Sequence, residues 1–122
     1  GGRINVLKTF NKSPTQVWKK KEYILDSPVP LPIGFYKSYK IKVPGAKGIR
    51  AHFKSIDLIP GHERILVGPS EYILMEKWQN KNQSGYSIDV FGENLYLKVI
   101  SDLTRSHREQ GQGFSIDFIE YY

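Results

Sequence analysis

The stretch LYLKVISDLTRSHREQGQGFSIDF, residues 95–118, contains two alternating apolar segments separated by a polar loop. Apolar residues that recur at every second position are typical of a β-strand with one buried face, because successive side chains point to opposite sides of the sheet. The loop between them offers carboxylate, imidazole and guanidinium groups, and it is a metal site, a binding surface or a simple connection. The side chains predicted to point inward are Leu95, Leu97, Val99, Phe114, Ile116 and Phe118.

The same period of two appears in YKIKV, residues 39–43, and in IRAHFKSI, residues 49–56. Alternation predicts that five basic residues of these strands point outward, namely Lys40, Lys42, Arg50, His52 and Lys54. Further strands are predicted at INVLKT (4–9), EYIL (22–25), ERILV (63–67), EYILMEKW (71–78) and YSIDVF (86–91), separated by Pro and Gly turns. A helix over 13–25 is the rival for one segment, but its apolar spacing is poor. The sequence thus predicts an all-β, two-layer antiparallel sandwich, with a closed barrel as the alternative.

The composition of the chain excludes several classes of function. The chain has 122 residues, enough for one domain, and no cysteine, which excludes disulfides, thiolate metal sites and cysteine nucleophiles. Its net charge is +6, and the positive excess lies in the first 50 residues, which could attract anionic partners. No apolar run reaches the length of about 20 residues that a membrane span needs.

Three longer segments show the order of strand and turn patterns that is typical of one known family. They are DSPVPLPIGFYKSYKIKVPGAKGI (26–49), IRAHFKSIDLIPGHERILVG (49–68) and GENLYLKVISDLTRSHREQGQGFSIDFIEYY (92–122). Together they resemble a CUB domain, a sandwich module found mainly in extracellular proteins. The resemblance implies a jelly-roll-like CUB domain over residues 22–122, with residues 1–21 as a leading strand or a connection to a neighbouring domain. Without cysteine, the chain looks like the microbial versions attached to secreted subtilisin-like peptidases.

Many members of that family bind calcium, and the resemblance places the ligand positions at Ile59, Glu63 and Asp102. Asp57, in the preceding Asp-Leu pair, is a further candidate carboxylate. Calcium needs six to eight oxygen ligands, and Ile59 supplies none from its side chain. The expected cofactor is therefore none, or calcium held by Asp57, Glu63 and Asp102.

The loop after Asp102 also has a purely structural interpretation. In it, Asp102 caps the loop through backbone N–H groups, while Gly111 and Gly113 turn the chain at positive φ. The tip of the loop would still expose Arg105, His107 and Arg108 as a basic binding surface.

Enzymatic chemistry finds little support in the sequence. His52, His62 and His107 lack the close spacing of zinc sites, and no GxSxG segment frames a serine nucleophile. Asp57 and Asp117 occupy strand positions that exposure explains. We expect no catalysis from this domain.

The sequence therefore predicts a non-catalytic accessory domain of a larger secreted or cell-surface protein, with a peptidase as one candidate parent. It would give stability or bind a neighbouring domain, a protein or a polysaccharide through its loops and one basic face. A carbohydrate-binding module is the alternative, with candidate aromatics Trp18, Tyr36, Trp78 and Tyr86. A nucleic-acid-binding domain, using the outward basic residues with Lys98 and Tyr96, is the second alternative, which the acidic C-terminal part disfavours.

Overall fold

A computed structural model describes residues 17–104 and 109–122, and within these ranges the chain forms nine β-strands and no helix. No helix in the described ranges has the length and apolar character of a membrane span. The strands are β1 Lys19–Asp26, β2 Tyr36–Lys42, β3 Gly48–Asp57, β4 Glu63–Gly68, β5 Glu76–Trp78, β6 Gln83–Tyr86, β7 Val90–Phe91, β8 Asn94–Ser101 and β9 Gly113–Tyr121.

The strands form two antiparallel sheets that confirm the predicted all-β sandwich. Sheet A has the order β1-β9-β3-β6, with β7 also paired to β3, and sheet B has the order β2-β8-β4-β5. Consecutive strands alternate between sheets along much of the chain, as in a jelly roll. β1 includes Lys19–Lys21, so these residues are part of sheet A, while the division of the chain between residues 21 and 22 stays a prediction.

One apolar core fills the space between the sheets. Side chains from both sheets contribute to it, including Phe53 and Ile116 from sheet A and Ile41 and Leu97 from sheet B. These positions are fully buried, as the alternation of apolar residues predicts. Burying one face of each strand leaves the other face of each sheet as an outer surface.

A bulge in the pairing of β9 with β3 changes which side chains point inward. His52 pairs with Phe118 and Phe53 pairs with Ile116, so Asp117 is an extra residue in β9. After this bulge the inward position passes to Ile119, which is fully buried, whereas Phe118 lies half-buried on the outer face. The prediction that Phe118 faces the core was therefore wrong.

Two predicted strands differ in extent from those observed. EYILMEKW is a strand only at Glu76–Trp78, because the chain before it turns at Ser70, whose hydroxyl accepts the backbone N–H of Ile73 at 3.0 Å. YSIDVF is interrupted after Tyr86 and resumes at Val90–Phe91. The rival helix does not form over residues 17–25, and INVLKT lies outside the described residues.

Candidate functional site

The candidate calcium ligands lie at one end of the sandwich, where β3 ends, β4 begins and β8 ends. Glu63 is 0% exposed, and its Oε1 accepts the backbone N–H groups of Ile59 at 2.9 Å and Gly111 at 3.0 Å. Glu63 Oε2 is buried and has no hydrogen-bond partner among the described residues. The Glu63 carboxyl group therefore joins the β3–β4 loop to the approach of β9.

The environment of Glu63 favours its neutral form. Burial raises its pKa above the ordinary value, the negative charge of Asp57 raises it further, and the two backbone N–H groups and His62 oppose the change. A carboxyl group that is costly to ionise here acts as a structural acceptor in the interior.

Two glycines permit the close packing around this end. A Cβ atom on Gly111 would lie 2.2 Å from Glu63 Oε1 and 2.4 Å from the Asp57 carbonyl oxygen. Gly111 is thus required for space and not for positive φ, which corrects the sequence prediction. Gly113 does have positive φ, at 84°, and the next residue, Phe114, donates its backbone N–H to Ser27 Oγ at 2.9 Å.

Asp102 makes different contacts from Glu63. Its Oδ1 lies 2.9 Å from His62 Nδ1, and its Oδ2 lies 3.9 Å from Arg64 Nη1. Asp102 is partnered by these groups and Glu63 Oε1 by two N–H groups, whereas Glu63 Oε2 has no partner among the described residues. No group of three or more candidate metal-ligating residues occurs in the described ranges. Calcium needs six to eight oxygen ligands, and the described ranges do not bring Asp57, Glu63 and Asp102 together as one such group.

One group of side chains on the outer face of sheet A, centred on Arg50, is mutually compensating. The Arg50 guanidinium lies 4.2 Å from the ring centroid of Trp18 and 4.1 Å from that of Tyr86. Its Nε donates to Glu120 Oε1 at 2.8 Å, and its Nη2 donates to the same oxygen. Arg50 is therefore stacked and neutralised within the sheet.

His52 lies beside this group on sheet A. Its ring stacks on Phe118 with centroids 4.4 Å apart, and its Nδ1 lies 2.7 Å from Asp117 Oδ1. Partial burial acts to raise the pKa of Asp117, but the His52 hydrogen bond and charge and two backbone N–H groups outweigh it, so the pKa is lowered. Of the three histidines, His52 lies on this face, His62 lies at the loop end, and His107 is outside the described residues.

The outer face of sheet B carries lysines without such compensation. Strand pairing places Lys40 opposite Tyr96, Lys42 opposite Asn94, and Lys98 in one row with Leu66 and Lys77. None of these lysines forms an ion pair with a carboxylate of the described residues. We call the surface formed by Lys40, Lys42, Lys77 and Lys98 the lysine face.

The structure separates the basic residues that the sequence assigned to one face. Lys40 and Lys42 lie on sheet B, whereas Arg50, His52 and Lys54 lie on sheet A. The expectation of a single basic face is thus wrong, because β2 and β3 belong to different layers. The loop tip with Arg105, His107 and Arg108 lies outside the described residues.

The aromatic candidates for sugar binding are also dispersed. Trp18 and Tyr86 hold Arg50 on sheet A, and Tyr36 is exposed on sheet B. Trp78 packs on Phe53 at 5.2 Å between centroids and donates its indole N–H to Glu76 Oε1 at 2.8 Å. Trp78 is therefore partly buried and packs against the core.

Sequence reasoning missed an exposed apolar segment between β4 and β5. Tyr72, Ile73 and Met75 are 87%, 58% and 58% exposed, although EYILMEKW was predicted to be a strand. The turn sequence GPS, residues 68–70, could have indicated that these residues leave the sheet, because it separates them from β4.

Comparison with solved structures shows which known fold this chain resembles. The CUB1-EGF-CUB2 domain of human MASP-1/3 matches with a TM-score of 0.59 and 14% identity, over 86% of this chain and 42% of that chain. The Ca2+-bound MASP-1 CUB2 domain matches with a TM-score of 0.48 and 16% identity, over 88% of this chain and 93% of that chain. No protein-family model and no curated protein matches the chain. The chain spans less than half of the first structure, and its fold is CUB-like, as the sequence resemblance indicates.

Proposed function

We propose that this chain is a non-catalytic accessory domain of a larger secreted or cell-surface protein, and that it contributes binding through one outer face of a rigid sandwich. The fold supports the first part, because the matching human structure combines CUB1, EGF and CUB2 units in one protein. A microbial peptidase as the parent protein remains part of the proposal, supported by the absence of cysteine.

The observation that carries the proposal is the group of four lysines on the outer face of sheet B. On sheet A the charge of Arg50 is neutralised by Glu120 and its guanidinium is covered by aromatic rings. On sheet B the four lysines of the lysine face have no carboxylate partner in the described ranges. Like charges grouped on one face repel one another, and an anionic partner removes that repulsion.

A binding assay on intact cells of the source organism tests this function. The fluorescently labelled chain should bind the cells saturably, and the purified chain should leave peptide, ester and glycoside substrates unchanged. Non-saturable binding, or turnover that purification does not remove, would overturn the accessory role.

Carbohydrate binding stays a second candidate because of Tyr36. This residue is 65% exposed, and Lys98 Nζ lies 5.6 Å from its ring centroid, so an aromatic and a cation are available together. Titration with a panel of neutral and acidic polysaccharides tests it. Saturation by a neutral polysaccharide would favour this candidate.

A further inference from the structure

We infer that the lysine face and the neighbouring 69–75 loop form a docking surface for a membrane that contains anionic phospholipids. The inference deepens the proposed binding function and rests on it. It begins from the position of the loop, which lies over the outer face of sheet B. A Cβ on Gly68 would lie 1.8 Å from the Ile73 carbonyl oxygen and 2.9 Å from Leu74 Cα, so the loop backbone packs directly on the sheet at this glycine.

The loop and the lysines share one surface. Lys98 Nζ lies 5.6 Å from the Tyr36 ring centroid and 5.9 Å from the Tyr72 ring centroid, so this lysine connects the sheet to the loop. Lys40 Nζ lies 5.9 Å from the ring centroid of Tyr96, the residue paired with Gly68. The cations and the loop are therefore adjacent elements of one face.

The chemistry of this face combines exposed apolar side chains with compact positive charges. Ile73 and Met75 are each 58% exposed, and Tyr72, in the same loop, is 87% exposed and lies next to Lys98. At a bilayer, apolar side chains enter the boundary between headgroups and acyl chains, tyrosine occupies the headgroup level, and lysines attract anionic headgroups. Glu71, the acid of this loop, is half-buried and is outnumbered by the lysines.

Other anionic partners explain less of the surface. A soluble acidic polysaccharide uses the lysines and the tyrosine rings but gains nothing from exposed Ile73 and Met75. A protein interface uses apolar and aromatic groups, but lysine is depleted there. An anionic lipid surface uses the apolar side chains, the tyrosines and the lysines.

The experiment is sedimentation of the full chain with phosphatidylcholine vesicles, with and without phosphatidylglycerol. Binding should require phosphatidylglycerol and weaken as salt rises. The triple variant K40A/K42A/K98A should lose about fivefold in affinity per lysine, about a hundredfold in all. The control K19A/K21A/K54A removes the same charge from residues on sheet A and should bind as the wild type does.

A second pair of variants tests the loop. I73S/M75S should lose about tenfold in vesicle affinity, because the apolar groups no longer enter the bilayer. The control I24S/V29S changes two apolar residues of similar exposure, 63% and 66%, away from this face and should retain binding. Circular dichroism of all four variants checks that each is folded.

Three outcomes overturn the inference. The first is vesicle binding that does not depend on phosphatidylglycerol, and the second is an equal loss of affinity in test and control variants. The third is a chain that binds soluble heparin but no vesicles, with heparin binding unchanged in I73S/M75S. Saturable cell binding without vesicle binding would leave the accessory function standing and remove only the membrane inference. Absence of cell binding with vesicle binding intact would remove the accessory function.

Discussion

Replacement of Glu63 by alanine should destabilise the fold strongly, because this side chain is an interior acceptor that joins two loops. Glu63→Ala leaves the backbone N–H groups of Ile59 and Gly111 buried without their acceptor. Each unsatisfied donor costs about 1–3 kcal/mol of folding free energy. Part of this cost is offset, because the variant no longer buries a carboxyl group that is costly to ionise. We expect a net loss of about 3 kcal/mol, which for a domain of this size corresponds to a Tm lowered by about 10 °C.

Glu63→Gln separates the acceptor role from the charge. The amide oxygen can still accept both N–H groups, and the amide nitrogen replaces Oε2, which has no partner among the described residues. We expect a loss of about 1 kcal/mol at neutral pH. Glu93→Ala is the matched control, since within the described residues that exposed carboxylate accepts only the backbone N–H of Gly45, at 2.9 Å, and its loss should cost about 0.5 kcal/mol.

Urea denaturation gives these free energies of unfolding, and its pH dependence gives a second check. Because the pKa of Glu63 is raised in the folded state, the folded protein binds this proton more tightly than the unfolded chain does. The contribution of Glu63 is complete below pH 4.5 and is lost as the pH rises through the folded pKa. Relative to wild type, Glu63→Gln should therefore gain stability as the pH rises. The reasoning fails if Glu63→Ala lies within about 1 kcal/mol of wild type, or if Glu63→Gln is equally damaging.

Three further outcomes are expected. Gly68→Ala should cost about 2 kcal/mol in urea denaturation, because its Cβ meets the Ile73 carbonyl oxygen at 1.8 Å, and an unchanged midpoint would contradict that packing. Excess calcium and chelator should give the same Tm by differential scanning fluorimetry, since Asp102 is partnered by other groups; a difference of several degrees would show that its carboxylate rearranges around the ion. Asp117→Asn should lower stability at neutral pH by less than about 1 kcal/mol and approach wild type below pH 3.8, because the lowered pKa of Asp117 contributes only while the group is ionised. A constant difference in free energy across the pH range would refute the role of the His52 contact.

The fold was predictable because burial in a strand follows a local rule. The inward positions of Leu95, Leu97 and Val99 depend only on alternation, and all three are buried. Phe118 broke the rule because Asp117 is bulged, and a bulge depends on how β9 aligns with β3. The sequence does not contain that alignment in any local pattern.

The candidate sites were less predictable, because they depend on residues that are distant in the chain. Glu63 was identified as a candidate ligand, but its partner Gly111 lies 48 residues away and supplies a backbone N–H that sequence patterns do not show. Similarly, Lys40 and Arg50 are close in sequence and both point outward, yet β2 and β3 belong to different sheets.

The sequence by itself determined that the chain forms alternating strands in two layers, because side-chain direction in a strand is set by the backbone of that strand. Only the tertiary structure decided which basic side chains meet a carboxylate. Arg50 meets Glu120 across paired strands of sheet A, whereas Lys40, Lys42 and Lys98 on sheet B meet no described carboxylate. Charge neutralisation depends on distance in space, and strand pairing fixes that distance.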